Sequence, residues 1–137
     1  MKGITKDPEW RQRGIAEFVA EAHKNAVEHG FWDSPPEFGT SIALIHSELS
    51  EALEEVRAGN RIHPGEPTPP VYYSGGGQLS DTHTEVCTKP EGYATELADA
   101  VIRIADLCGY MHIDLAAVIR EKMEYNATRP YKHNKNF

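Results

Sequence analysis

The sequence predicts an all-α protein, a bundle of four helices with a long loop between the second and the third. Apolar residues recur at helical spacing in four segments, and residues typical of helix ends flank those segments. Proline and glycine cluster between residues 59 and 92. The 137 residues fit one domain of ordinary size, so we treat residues 1–137 as a single domain.

The first helix is predicted from about Pro8 to Glu28. Asp7-Pro8-Glu9 combines an N-cap acceptor, a proline in the first turn and an acid near the positive end of the helix. Gly30 is expected to end this helix. The turn that follows carries two large aromatic residues, Phe31 and Trp32.

The second helix is predicted from about Pro36 to Ala58, with Gly59-Asn60 at its end. Residues 59–92 then form a long loop that includes the glycine run 75–77. A loop longer than about 12–15 residues in a compact domain is usually functional or mobile. Residues 71–73 could pair as a short strand, although the sequence does not decide this.

The last two helices are predicted from about Ala94 to Tyr110 and from about Leu115 to Thr128. Asp114 is the expected N-cap of the fourth helix. Pro130 prevents that helix from continuing, and residues 129–137 form a basic tail.

The composition limits the classes of partner. Lysine and arginine number 14 against 21 acids, which gives a formal charge of −7. A duplex nucleic-acid binder needs a basic face, so we expect no nucleic-acid partner. A nucleotide ligand would need a metal cation between its phosphates and the protein. The hydrophobic content of 39% is low for a self-contained domain, as expected for an oligomer that shares its core or for a chain with a long polar loop.

The sequence also gives expectations about compartment. Met1-Lys2 leads straight into polar sequence, and no apolar run approaches the roughly 20 residues that a membrane span needs. We therefore expect a cytoplasmic protein with no membrane partner. Cys87 and Cys108 form no C-x-x-C pair, which argues against a disulfide framework or a structural zinc site.

On a helical wheel with about 100° per residue, two of the predicted helices each place an acid-x-x-acid step beside their apolar face. In the second helix Glu48 and Glu51 border the expected core face, and in the third helix Glu96 and Asp99 do the same. The two expected core faces consist of Ile42, Ile45, Leu49, Leu53 and Val56, and of Leu97, Val101, Ile104 and Cys108. Packing these faces together would bring both acidic edges into one groove.

Acids at i and i+3 repel each other unless a cation or solvent intervenes. Four converging carboxylates without histidine or cysteine suit Mg2+, or Mn2+ in its place. The same spacing also fits two solvated faces with salt bridges, in which Arg103 neutralises its neighbours. Asp106 could be a further ligand, a hydroxyl acceptor or a partner of Arg103.

The fourth helix places polar residues on its apolar stripe. Leu115, Val118 and Ile119 define the expected buried face, on which Lys122 and Asn126 also fall. Because such residues are costly to bury unpaired, they either reach solvent at the helix end or point into the acidic groove, towards a nucleotide. Three basic residues that follow could cover an anionic ligand: Arg129, Lys132 and His133.

Three segments together point to one family. SELSEALEEVRAG (47–59) precedes KPEGYATELADAVIRIADLCG (89–109), and KMEYNATRPYKH (122–133) closes the series. The first two resemble the E-x-x-E…E-x-x-D signature of the MazG-like all-α nucleoside triphosphate pyrophosphohydrolases, and the third is similar to the C-terminal segment of small single-domain members. The resemblance spans about residues 10 to 133, with 60–88 as the main departure.

The resemblance implies hydrolysis of a nucleoside or deoxynucleoside triphosphate to the monophosphate and pyrophosphate, as in cleaning of the nucleotide pool. It implies that Lys122 and Asn126 contact the nucleotide and that members assemble as dimers or dimers of dimers. It implies four metal-binding and catalytic carboxylates: Glu48, Glu51, Glu96 and Asp99. It leaves open the number of metal ions, the preferred base and sugar, and the carboxylate that accepts a proton from water, for which Glu51 is one candidate.

Some alternatives stay open. Phe31 and Trp32 could stack on the base or anchor their turn, and the general burial of aromatic residues favours the anchor. A non-catalytic dimeric module that senses nucleotides or binds a partner is the alternative to an enzyme. A di-iron bundle is disfavoured, because neither acidic pair carries the histidine of a Glu-x-x-His step.

Overall fold

A computed structural model of the chain describes residues 14–59, 65–74 and 89–134. Within these residues the chain is mostly helical, with four α-helices and one two-stranded sheet. In chain order the elements are α1 (Ile15–Glu28), α2 (Phe38–Ala58), β1 (Tyr72–Ser74), β2 (Lys89–Glu91), α3 (Tyr93–Tyr110), α4 (Leu115–Ala127) and a 3-10 helix (Tyr131–Asn134). None of the described helices is both long and apolar enough to cross a membrane.

The helix ends follow from local chemistry. α2 ends where Gly59 adopts a left-handed conformation (φ 62°). α4 begins where the Asp114 side chain accepts a hydrogen bond from the backbone N–H of Ala117 (3.0 Å). The predicted start of the first helix at about Pro8 is wrong: α1 begins at Ile15, because Gly14 before it is extended. The start signal predicted at residues 7–9 lies outside the described residues.

Part of the predicted loop forms antiparallel strands. Tyr72 lies opposite Glu91 and Ser74 opposite Lys89, so the short strand considered at 71–73 is found one residue further along. The described residues are mostly helical, as predicted, with a minor two-stranded sheet in addition to the four α-helices.

Gly92 connects this sheet to α3. Its φ is 108°, and a Cβ there would lie 2.6 Å from the carbonyl oxygen of Pro70, so the position requires glycine. The same oxygen accepts a hydrogen bond from the backbone N–H of Ala94 (2.9 Å). The sheet is thus fixed directly to the first turn of α3.

The described residues fall into two compact units. The first unit contains 14–33 and 105–134, and the second contains 34–59, 65–74 and 89–104. The buried cluster of the first unit, with the two partly buried side chains packed on it, consists of Val19, Ala22, Ala105, Cys108, Phe18 and Leu115. In this unit a Cβ at Gly109 would lie 2.5 Å from the Cβ of His23, so α1 and α3 approach closely.

The expected core face of α2 is wrong for three of its five residues, whereas Ile42 and Ile45 are partly buried. Leu49, Leu53 and Val56 are 46%, 54% and 51% exposed, whereas Glu48 and Ala52 are buried. The buried apolar residues described in the second unit are alanines, Ala52 and Ala100, and most of its bulkier apolar side chains are exposed.

The same correction applies elsewhere. Leu97, Val101 and Ile104 of α3 are exposed, and Ala100 is buried instead. Val118 of α4, expected to be buried, is exposed as well. Helical periodicity located the apolar residues of α2 and α3, but the chain buries neighbouring alanines and leaves most of the larger residues exposed.

Candidate metal centre

Three carboxylates from two helices converge in the second unit. Glu48 lies in the middle of α2, and Glu96 and Asp99 lie in the first two turns of α3. One carboxylate oxygen from each residue lies within 4.8 Å of the others. Glu48 is buried, and Glu96 and Asp99 are partly buried. A set of oxygen donors only is the kind that hard divalent cations such as Mg2+ prefer, so the residues present fit that ion.

The surroundings disfavour negative charge on two of these carboxylates. Partial burial raises the pKa of Glu96 above its ordinary 4.5, and the charges of Glu51 and Asp99 raise this pKa further. Partial burial and then the charge of Glu48 raise the pKa of Asp99 above 3.8. A bound cation would relieve the repulsion that contributes to both shifts.

Arg103 supplies one positive charge to this group. Its Nε donates a hydrogen bond to Glu48 Oε1 at 2.5 Å. Arg103 follows Asp99 by one helical turn, so the two share a face of α3. The sequence left open a pair between Arg103 and Asp106; the carboxylate that Arg103 contacts is that of Glu48.

The sheet borders the acidic residues. The Tyr72 hydroxyl donates to the Glu55 carboxylate, 3.1 Å and 3.3 Å from its two oxygens, which ties β1 to α2. Lys89 Nζ, in β2, lies 3.5 Å from Glu91 Oε1. The positive charge of Lys89 acts to lower the pKa of Asp99. The sequence did not single out Tyr72 or Lys89, and its only signal was the short run of strand-forming residues at 71–73.

Three of the four predicted ligands are therefore brought together. Glu51 is not part of the group of three, and its side chain is exposed. Its effect on the pKa of Glu96 indicates that it lies nearby. The prediction that Glu51 binds metal stays a prediction.

Asp106, in the first unit, has hydrogen-bond donors of its own. Trp32 Nε1 donates to Asp106 Oδ1 at 2.8 Å, and His23 Nδ1 lies 2.8 Å from the same oxygen. An ionised carboxylate only accepts, so this contact requires the proton of His23 on Nδ1. The Trp32 ring also stacks on Tyr110, with centroids 4.0 Å apart.

These contacts anchor Trp32 to its own unit, whereas Phe31 is 70% exposed. His23 was missed in the sequence. Its signal is weak: it follows Val19 by four residues, and so continues the buried stripe of α1.

The predicted nucleotide-binding cations lie on aromatic rings. Lys122 Nζ and Arg129 Cζ lie 5.0 Å and 5.9 Å from the centroid of Tyr125, and Lys132 Nζ lies 5.7 Å from that of Tyr131.

Lys122 is exposed, so the argument that its burial would be costly does not apply here. The placement of Lys122, Asn126, Arg129 and Lys132 against a nucleotide stays a prediction, and the side chain of His133 lies outside the described residues.

Comparison of the chain with protein-family models, curated proteins and solved structures gave no match. The likeness to MazG-like enzymes therefore stands on the sequence segments alone.

Proposed function

We propose that this protein hydrolyses nucleoside or deoxynucleoside triphosphates to the monophosphate and pyrophosphate in a magnesium-dependent reaction that cleans the nucleotide pool. The observation that carries the proposal is the convergence of Glu48, Glu96 and Asp99 from two helices. The motifs that resemble the MazG-like family contain these same three residues.

In this proposal Glu48, Glu96 and Asp99 hold Mg2+, for which Mn2+ can substitute. When bound, the ion would offset the negative charge of the phosphates and polarise the bond to be cleaved. A triphosphate carries a charge of about −4, so it could not approach this acidic group without such a cation. Glu51, exposed beside the group, either completes the ligand set or accepts a proton from the attacking water.

The nucleotide contacts rest on the resemblance. We assign Lys122 and Asn126 to the nucleotide, with Arg129 and Lys132 beside them. The exposed ring of Phe31 is available to a base, whereas Trp32 and Asp106 already contact each other. The preferred base is left to experiment.

We also propose that the protein assembles as a dimer or a dimer of dimers. The exposed apolar faces of α2 and α3 support this, because exposed apolar patches of this kind mark interaction surfaces. Light scattering coupled to gel filtration tests it: Leu53→Glu should reduce the measured mass, whereas a purely monomeric wild-type protein would contradict the proposal.

The decisive experiment is a pyrophosphate-release screen. The substrates are canonical ribo- and deoxyribonucleoside triphosphates together with oxidised and methylated forms, each with Mg2+, with Mn2+ and with EDTA. We expect metal-dependent release from at least one substrate, lost in Glu48→Gln and Glu96→Gln proteins that remain folded by circular dichroism.

Glu54→Gln is the matched control, since Glu54 is an exposed glutamate of α2 whose partner is Arg57. It should retain full activity. No release from any substrate with either metal would overturn the proposed reaction.

A non-catalytic module is the second candidate, and one contact favours it: Arg103 already neutralises Glu48 with a group from the chain itself. Saturable nucleotide binding without any pyrophosphate release would support this candidate over the enzyme.

A further inference from the structure

We infer that Arg103 binds the phosphates of the substrate, held in place for this task by Glu48. The inference rests on the proposed function, because it concerns a polyphosphate bound beside the same carboxylates. It adds an anion-binding residue to a site otherwise built from acids.

The geometry of the ion pair leaves most of the guanidinium unused. Arg103 reaches Glu48 through Nε, and among the described residues Glu48 is its only hydrogen-bond partner. A guanidinium carries five N–H donors, so the four on its two terminal nitrogens remain available. Such a planar fork fits two phosphate oxygens at once.

The two side chains of this ion pair differ in burial. The side chain of Glu48 is 9% exposed, whereas that of Arg103 is 42% exposed. The buried carboxylate therefore holds a side chain that is itself partly open to solvent. A side chain restrained in this way loses less conformational entropy when it binds a ligand.

The position relative to the carboxylates suits a polyphosphate. Glu96, Asp99 and Arg103 occupy one face of α3, at successive turns. Glu48 Oε1 accepts from Arg103, and one oxygen of Glu48 lies within 4.8 Å of those of Glu96 and Asp99. A polyphosphate bridged to the acids by Mg2+ would therefore have a cationic donor next to it on the same helix.

Binding of inorganic tripolyphosphate with Mg2+ tests the inference, because this probe needs no knowledge of the preferred base. Isothermal titration calorimetry would compare wild type with Arg103→Lys and Arg103→Met. We expect the dissociation constant to rise about tenfold in Arg103→Lys, which keeps the charge but not the fork, and about a hundredfold in Arg103→Met.

Arg57→Met is the matched control. Arg57 is an exposed arginine of the same unit, with Glu54 at 3.7 Å, and its loss removes the same formal charge. It should change the dissociation constant less than twofold.

A separate readout excludes a merely structural role. Mn2+ binding without any anion should stay within about threefold of wild type in Arg103→Lys, since the charge beside Glu48 is retained. If Mn2+ affinity and tripolyphosphate affinity fell together in Arg103→Lys, Arg103 would only be ordering Glu48 and the inference would be overturned.

Tripolyphosphate affinity equal to wild type in Arg103→Met, or no saturable binding by the wild type, would also overturn the inference. Failure of the proposed function looks different: tripolyphosphate binding would depend on Arg103, yet no nucleoside triphosphate would release pyrophosphate. Arg103→Lys keeps the test valid if Arg103→Met does not fold.

Discussion

Glu48 and Asp106 are carboxylates in different units, and their surroundings are opposite. Glu48 lies among other acids, and its one described hydrogen-bond donor is Arg103. Asp106 accepts from Trp32 and contacts His23, and the rings of these two residues pack against each other. Glu48 pairs with Arg103 within a group of acids, whereas Asp106 accepts hydrogen bonds from residues of its own unit outside any such group.

This difference distinguishes a candidate ligand site from a structural contact. Acids that raise one another's pKa are stabilised when a cation arrives. A carboxylate that already accepts two N–H groups gains less from a new partner, and it loses stability when those groups are left unpaired. The two regions should therefore respond differently to metal and to mutation.

The largest expected difference is in divalent-cation affinity. Glu96→Gln should weaken Mn2+ binding by more than about a hundredfold, because even residues that only support metal ligands contribute about 10–100-fold. Asp106→Asn should leave Mn2+ affinity unchanged. Titration calorimetry measures both affinities. Equal losses of Mn2+ affinity in the two variants would contradict the assignment of the metal to Glu96 and its neighbours.

The next effect is stabilisation by metal. At a Mg2+ concentration of 100 times the dissociation constant, the free energy of unfolding should rise by about 2.7 kcal/mol. Urea denaturation with Mg2+ and with EDTA measures this difference. The rise should persist in Asp106→Asn and vanish in Glu96→Gln; a rise that survives in Glu96→Gln would place the metal elsewhere.

Asp106→Ala should destabilise the metal-free protein by about 2 kcal/mol, since it leaves the N–H groups of Trp32 and His23 without their acceptor. Asp106→Asn keeps one acceptor oxygen and should cost about half as much. Both values follow from urea denaturation in EDTA. If Asp106→Ala had no effect on the free energy of unfolding, the contacts of Asp106 would not stabilise the first unit.

The smallest effect is the dependence of stability on pH. The folded-state pKa values of Glu96 and Asp99 are raised above 4.5 and 3.8, so the folded state holds these protons more tightly than the unfolded state. Their contribution to the metal-free protein is therefore present below the ordinary pKa values and is lost as pH rises through the raised ones.

Metal reverses this trend, because a cation binds the ionised carboxylates. The increase in urea midpoint produced by Mg2+ should grow between about pH 4 and about pH 7. In Glu96→Gln with Asp99→Asn the increase should be absent at every pH. A midpoint difference in the wild type that does not vary with pH would argue against metal at these acids.

The sequence predicted what depends on nearby residues. Gly59 and Asp114 set helix ends through their own backbone and side chain, and both were found. The acid-x-x-acid steps predicted a shared acidic group, and three of its four members converge. Spacing within one helix is enough for such predictions.

The contacts that were missed join distant parts of the chain. Asp106 meets Trp32 and His23 across 74 and 83 residues, and no periodicity reports such pairs. Periodicity also identifies the apolar face of α2 without indicating what covers it, so it predicts a buried Leu49, whereas the residue found buried is Ala52. A helix can bury its small residues against the rest of the chain while its larger apolar residues remain exposed.

The junction at Gly92 bears on how this protein can change over evolutionary time. Strand pairing between 72–74 and 89–91, followed by the contact of Gly92 and Ala94 with Pro70, closes the chain into a ring just before Glu96. Insertions or deletions between the two strands would be accommodated inside that ring, without shifting the first turn of α3. The strand pairing and the contact at Gly92 therefore position the first turn of α3, and with it Glu96, independently of the length of chain between the two strands.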